Sequence, residues 1–228
     1  MEGNKRFAVA IDGPSGAGKS TLARSVAREL GAVYVDTGAI YRTVGYCAWQ
    51  RGIDPDAREA ICALLPQLEI SMGYDDDGLQ RMYLNGEDVT KEIRLPQISM
   101  YASRVSALPE VRAFLMDMQR DMARRHSVVM DGRDIGTVVL PQAQVKIFLT
   151  ASAEDRARRR WEELRERGTP KDFDELLEEI RQRDHNDTSR AAAPLRAAED
   201  AVYLDTTGNT FEQSREQILK IIKERLDQ

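Results

Sequence analysis

The sequence predicts an α/β protein built on a five-stranded parallel sheet flanked by helices, with a small antiparallel piece inserted. Three observations lead there. Five short apolar runs alternate with longer amphipathic segments, the pattern of right-handed crossovers between parallel strands. A glycine-rich stretch joins the first apolar run to the first amphipathic one. Between Pro66 and Pro96 the rhythm breaks into alternating residues and tight-turn dipeptides.

The elements follow in order. Residues 7–11, 33–35, 128–130, 145–149 and 201–204 are β-branched and aromatic and read as buried strands. A helix is expected from near Gly18 to Leu30, with Gly31 placed to end it. A second helix covers 109–125. The last is announced by Thr210 with Gln213 three residues on, a capping box ahead of Ile218, Leu219, Ile221 and Ile222. In the break, Asp77-Gly78 and Asn85-Gly86 are tight-turn signals with alternating flanks, so residues 66–96 read as an antiparallel meander. A second break, 154–171, is densely charged and ends at Gly168-Thr169-Pro170.

Composition narrows the function. The 228 residues hold 33 Lys and Arg against 38 Asp and Glu, a net charge of −5, and two cysteines. At roughly 150 residues per domain this is one core with insertions. Cys47 and Cys62 form no CxxC or Cys/His cluster, which excludes a disulfide framework or zinc ribbon and leaves two core thiols in a reducing cytosol. No apolar run reaches the roughly 18 residues of a membrane span, and the polar start over 1–6 predicts no signal peptide. The acidic balance disfavours nucleic acid as partner while permitting a local basic pocket.

Gly13-Pro14-Ser15-Gly16-Ala17-Gly18-Lys19-Ser20 matches GxxxxGK[ST] at each fixed position, between a strand and a helix. Glycines let consecutive N–H groups turn inward into an anion-binding nest, and the following helix adds its positive end. Gly13, Ser15, Gly16, Ala17, Gly18, Lys19, Ser20 and Thr21 are therefore the expected triphosphate-binding residues. Lys19 should reach the β- and γ-phosphates and Ser20 Oγ should ligate Mg²⁺. Asp131 ends an apolar strand and suits a carboxylate facing the metal's water shell, although a simple strand-end turn residue reads the same way. No NKxD guanine reader follows the late strands, which disfavours a switch GTPase.

Arg42 and the pair Arg133-Asp134 follow the second and third predicted strands, at the carboxyl edge where open α/β sheets present ligands. Two arginines aimed at one cleft imply an anionic acceptor, because guanidinium matches phosphate oxygens bidentately. The stretch 154–167 carries six arginines and five carboxylates. Expected helical pairs are Glu154–Arg158, Asp155–Arg159 and Glu163–Arg167. Arg156 has no carboxylate three or four residues away and Arg160 has only Glu163, so the stretch reads either as an ordinary solvated helix or as one that offers these two to an anion.

Assembled, these residues make the chain resemble the bacterial cytidylate kinases, P-loop nucleoside monophosphate kinases, from about residue 7 to the C-terminus. The resemblance rests on IDGPSGAGKST at 11–21, DTGAIYR at 36–42, DGRDIGTVV at 131–139, VKIFL at 145–149 and RDHNDTSRAAAPL at 183–195. It implies a P-loop NTPase-type core over 1–38 and 105–228, a monophosphate-binding region over 39–104 containing the β insertion, and a helical lid over 151–171. It places Thr37, Tyr41, Arg42 and Arg133 at the CMP phosphate, and Ser103, Arg112 and Asp134 at the cytosine. Asp187 falls at the ribose, with Arg183 and Arg190 reaching phosphate or sugar. Arg156, Arg159 and Arg160 become lid arginines, catalytic together with Lys19 and Arg133; Arg158 stays outside the site. Thr37 stands where the family's motif commonly has Ser, keeping the hydroxyl.

A carboxylate at Asp134 can accept from the cytosine exocyclic amine and would repel the uracil carbonyl. The implied reaction carries the γ-phosphoryl of ATP to CMP or dCMP, with Mg²⁺, in a cytoplasmic monomer. The acceptor is already anionic, so no strong base is needed, which suits a chain whose two histidines, His126 and His185, have no partner motif. Two other readings stand beside it. One is a hydroxyl-phosphorylating kinase of shikimate or gluconate type, with Asp36 as base. The other is a regulatory ATPase with no acceptor at all.

Overall fold

The structure, a computed structural model, describes residues 6–166 and 168–227. The expectations for residues 1–5 and for the Glu163–Arg167 pair therefore lie outside the described residues. Strands β1 (Ala8–Asp12), β2 (Val33–Asp36), β6 (Val128–Gly132), β7 (Val145–Thr150) and β8 (Val202–Asp205) form a parallel sheet in the order β2-β6-β1-β7-β8. Strands β3 (Ile70–Tyr74), β4 (Gln80–Leu84) and β5 (Glu87–Asp88) form the separate antiparallel sheet of the insertion. Its turns carry the two expected dipeptides, with Gly78, Asn85 and Gly86 at positive φ.

Alternation along the central strands divides the core in two. Val9, Ile11 and Val129 pack with α1 (Lys19–Glu29) and α8 (Phe211–Leu226) on one face. Ala10, Val128 and Met130 pack on the other face with α2 (Thr37–Gln50), α4 (Pro96–Val105) and α5 (Pro109–Arg125). Two shorter or more peripheral groups complete the chain: α3 (Arg58–Leu64), and the pair α6 (Ala153–Glu166) and α7 (Phe173–Ser189), which lie against each other. At Gly45 a Cβ would sit 2.8 Å from the Ala102 amide nitrogen, so only glycine lets α2 and α4 approach this closely.

Local signals hold at the helix ends. Gly31 at φ 62° follows α1, and Thr210 with Gln213 forms a complete capping box on α8, a device worth about 1 kcal/mol. Three expectations need correction. The fifth strand is not buried: β8 is a sheet edge, alternates half-buried and exposed residues, and leaves Tyr203 64% exposed while stacked on Phe148. Cys47 is buried, but Cys62 is only half-buried on α3. Glu154 pairs with Arg181 at 2.8 Å rather than with Arg158, because α7 brings a guanidinium alongside α6.

Candidate active site

The carboxyl ends of β1, β2 and β6 open onto one cavity of about 550 Å³. The phosphate loop forms its floor. Ser15, Gly16, Gly18, Lys19, Ser20 and Thr21 line it, while Gly13 and Ala17 do not. Ala17 is fully buried in the core. Gly13 has φ 152°, and a Cβ there would lie 1.9 Å from the Leu149 carbonyl oxygen. Its glycine thus seats the loop against β7, and the loop's turn into α1 is made at Gly18, φ 81°.

Lys19 is 4% exposed and donates to the Pro14 carbonyl of its own loop at 2.7 Å. Burial, reinforced by the nearby Arg133 guanidinium, pulls its ammonium well below the usual lysine range. Ser20 Oγ donates to Asp131 Oδ2 at 3.0 Å, and Tyr34 donates to Asp131 Oδ1 at 2.8 Å. Burial and the neighbouring Asp36 carboxylate raise Asp131 above the ordinary carboxylate range. An exposed hydroxyl on a buried carboxylate beside the glycine-rich loop suits Mg²⁺, which takes one or two protein oxygens and completes its shell with water and substrate phosphates.

Asp36 itself is fully engaged. Its Oδ1 accepts from the Ala39 amide at 2.9 Å as the N-cap of α2, and its Oδ2 pairs with Arg94 at 2.7 Å. Gln80 on β4 brackets the same residue, accepting from its amide at 2.8 Å and donating to its carbonyl at 3.2 Å. A carboxylate held this way is poorly placed to act as a general base. Arg94 and Gln80 had no sequence signal, because both belong to the insertion and meet β2 only through tertiary packing.

The opposite wall collects charges from five separate segments. Arg112 on α5 pairs with Asp134 just after β6, both at most 5% exposed, and its guanidinium lies 5.5 Å above the Tyr41 ring. Arg133 Nε donates to Asp187 on α7 at 2.8 Å. Burial alone would raise the Asp187 carboxyl, but Arg133, Arg183 and Arg190 outweigh it and hold it below the usual carboxylate range. Arg183 is drawn down to about 10 by burial and then by Arg133. Arg42, lowered by burial and then by Arg94, donates to Ser99 Oγ at 2.8 Å.

Arg190 Nε donates to the Ala193 carbonyl at 2.8 Å, across a loop in which Ala193 takes φ 48°. Three buried groups on this wall, the Tyr41 hydroxyl, Arg183 Nε and Arg190 Nη2, have no hydrogen-bond partner among the described residues. Unmatched buried guanidinium N–H groups facing a cavity call for an anion or a polar acceptor. Ser103 lines the same wall, as does Thr37, whose hydroxyl donates to the Asp131 carbonyl at 2.7 Å.

Arg156, Arg159 and Arg160 on α6 also line the cavity. The expectation that Arg156 lacks a carboxylate is corrected. It donates to Asp184 on α7 at 3.0 and 2.5 Å, and to the Ser15 carbonyl at 2.9 Å. Helix spacing could not show this, because the partner sits on a neighbouring helix. Asp155–Arg159 forms at 2.6 Å as expected, and Arg160 pairs with Glu163 at 2.7 Å. The exposed His126 and His185 stand outside the cavity.

A family model described as "Cytidylate kinase" matches residues 9–224. The chain belongs to the cytidylate kinase family. It is 48% identical over 217 residues to the cytidylate kinase of Caldicellulosiruptor bescii, covering 95% of this chain and 96% of that one. It is 48% identical over 223 residues to the one from Streptococcus suis, covering 98% and 99%. A solved structure of an uncharacterized protein from Eubacterium ventriosum superposes at a TM-score of 0.54 with 12% identity, over 96% of this chain and 100% of that chain, a likeness of fold alone. Among the described residues no helix is long and apolar enough to cross a membrane.

Proposed function

We propose that this kinase transfers the γ-phosphoryl group of ATP to CMP or dCMP, giving ADP and CDP or dCDP. The observation that carries the reading is one cavity joining the phosphate loop to the buried Arg112–Asp134 pair and the guanidiniums of Arg133, Arg183 and Arg190. ATP lies along the loop, its phosphates on the backbone amides between Ser15 and Thr21 and on Lys19. The CMP phosphate lies among Arg42, Arg133 and Arg183, beside Tyr41 and Thr37. The base lies at Asp134, Arg112 and Ser103, and the sugar at Asp187 and Arg190. In this reading 39–104 is the monophosphate-binding region and 151–171 the lid.

A phosphate oxygen of CMP attacks the γ-phosphorus in line, and the bond from that phosphorus to the β-bridging oxygen breaks. The nucleophile is already an anion, so no residue must remove a proton. The chain's contribution is alignment and charge neutralisation. Lys19 leaves the Pro14 carbonyl for the phosphates, whose anionic oxygens favour its charged form. Arg160 and Arg159 close over the transferring group, and α6 and α7 exclude water that would otherwise hydrolyse ATP. Mg²⁺, when bound near Ser20 and Asp131, supplies charge neutralisation at the β- and γ-phosphates. Thr37 adds its hydroxyl oxygen to the wall, with its proton committed to the Asp131 carbonyl. The enzyme is read as a cytoplasmic monomer acting on free nucleotides rather than nucleic acid.

The test is ADP release from ATP, alone and with CMP, dCMP, UMP, AMP, GMP or small polyols. Stimulation by CMP and dCMP above the rest is expected. A flat response points to a regulatory ATPase, and stimulation by polyols alone to a hydroxyl-phosphorylating kinase; either outcome defeats the proposal.

A further inference from the structure

Arg133 and Asp134 sit at the end of β6, immediately before a single π-helical turn, Ile135–Val139. The turn closes on itself through the Val138 and Val139 amides, which donate to the Asp134 carbonyl, and the Leu140 amide, which donates to the Ile135 carbonyl. It is also held from both ends by side chains that line no part of the cavity. At its front, Asp12 on β1 accepts from the Ile135 amide through one carboxylate oxygen and from the Gly136 amide through the other, both at 2.7 Å. At its back, Arg120 on α5 donates from Nε to the Val139 carbonyl and from Nη2 to the Val138 carbonyl, both at 3.0 Å.

The charges match the turn's dipole, negative at the amide end and positive at the carbonyl end. Asp12 is 4% exposed, and burying a carboxylate is costly unless its oxygens are fully used. Here both are used on two consecutive peptide groups, one residue beyond Asp134. The Asp134 carboxylate and the Lys19 ammonium act on its charge from within the site, and the Lys146 side chain packs beside it at Gly136.

We infer that Asp12 and Arg120 form a two-ended clamp that positions Arg133 and Asp134 toward the acceptor nucleotide. Both are positioning residues: they act through the backbone of 133–139 and set acceptor affinity and base selectivity. Burial pushes the Asp12 carboxyl up to about 7 against the two amides, which agrees with a charge kept for geometry at some cost. The inference rests on the proposed reading of the cavity as a CMP site.

Asp12→Asn keeps the shape but turns an N–H₂ toward one of the two amides; Arg120→Met leaves two carbonyls without a donor. In both, the KM for CMP should rise roughly 10- to 100-fold and the CMP-to-UMP preference should narrow, while the KM for ATP moves by no more than about twofold. Arg120→Lys, still able to serve one carbonyl, should recover part of the loss. Equal rises in both KM values, or an unmoved CMP-to-UMP preference, overturns the inference. If Asp12→Asn does not fold, the Arg120 pair decides alone. Amide hydrogen exchange separates this inference from the reading beneath it. Exchange across 135–140 should quicken in Arg120→Met whatever the acceptor is, and unchanged exchange sinks the clamp. A wild-type protein indifferent to CMP sinks the reading of the site instead.

Discussion

The two walls of the cavity are built in opposite ways. On the proposed reading the ATP wall comes from one contiguous stretch, Ser15 to Thr21, and works mainly through backbone amides at a helix start. The acceptor wall draws on α2, α4, α5, the end of β6, α7 and the loop after it, and works through side chains already joined in ion pairs. A loop of backbone amides needs only a local conformation, so a short motif specifies it. Ion pairs between distant elements need the whole fold, and each must be loosened or shared when an anionic nucleotide enters. On the proposed reading the ATP wall is general for triphosphates, and the acceptor wall is where selectivity resides.

The largest effect should come from the ATP wall. Lys19→Met should lower kcat by at least about 10³-fold, since it removes the main cation from the transferring phosphate. Its melting temperature should hold or rise, because burial already works against the Lys19 charge. A large loss of stability with little loss of turnover would make Lys19 a scaffold residue and collapse the contrast.

The lid arginines sharpen it next. Arg160→Ala should lower turnover about 10²–10³-fold and alter stability by less than about 0.5 kcal/mol, since its Glu163 pair is solvent-exposed. Arg156→Ala removes a 4%-exposed guanidinium bound to Asp184 and to the phosphate loop, and should cost about 3 kcal/mol of stability. Chemical denaturation beside initial rates separates the two; equal stability losses would argue against a distinct lid role for Arg160.

Asp134→Asn should reduce the preference for CMP over UMP roughly 10- to 100-fold, the value of one well-made polar discrimination. Competition assays with both acceptors measure it, and an unchanged ratio removes Asp134 from base reading. The smallest effect is a pH slope. Asp12 rises in the folded protein from 3.8 to about 7, so between about pH 4 and 7 the folded state holds more protons than the unfolded one. This group's contribution to stability then falls as pH rises through that window. The melting temperature of Asp12→Asn relative to wild type should become more favourable from pH 5 to pH 8. A constant difference would show that Asp12 does not titrate there.

Much of this was legible in the chain. The phosphate loop, the strand alternation, the capping box on α8 and the turn dipeptides of the insertion all have local causes, and each stands where the sequence puts it. Arg156 marks the limit. Its neighbours along α6 suggested an unpaired charge, while its partner Asp184 is supplied by α7. Arg94, Gln80, Asp12 and Arg120 carry no local signal for the same reason: each acts on a different element, 19 to 123 residues away in the chain.

The sequence by itself determined the parallel α/β class, the triphosphate loop and, through its motifs, the family. These follow from backbone periodicity and from contiguous residues whose conformations depend only on near neighbours. The tertiary structure alone decided which arginines are paired and which buried donors stay unmatched. It also decided that two remote side chains hold the turn after Asp134. Those outcomes depend on ångström-scale distances between elements, and such distances are fixed only when the core packs.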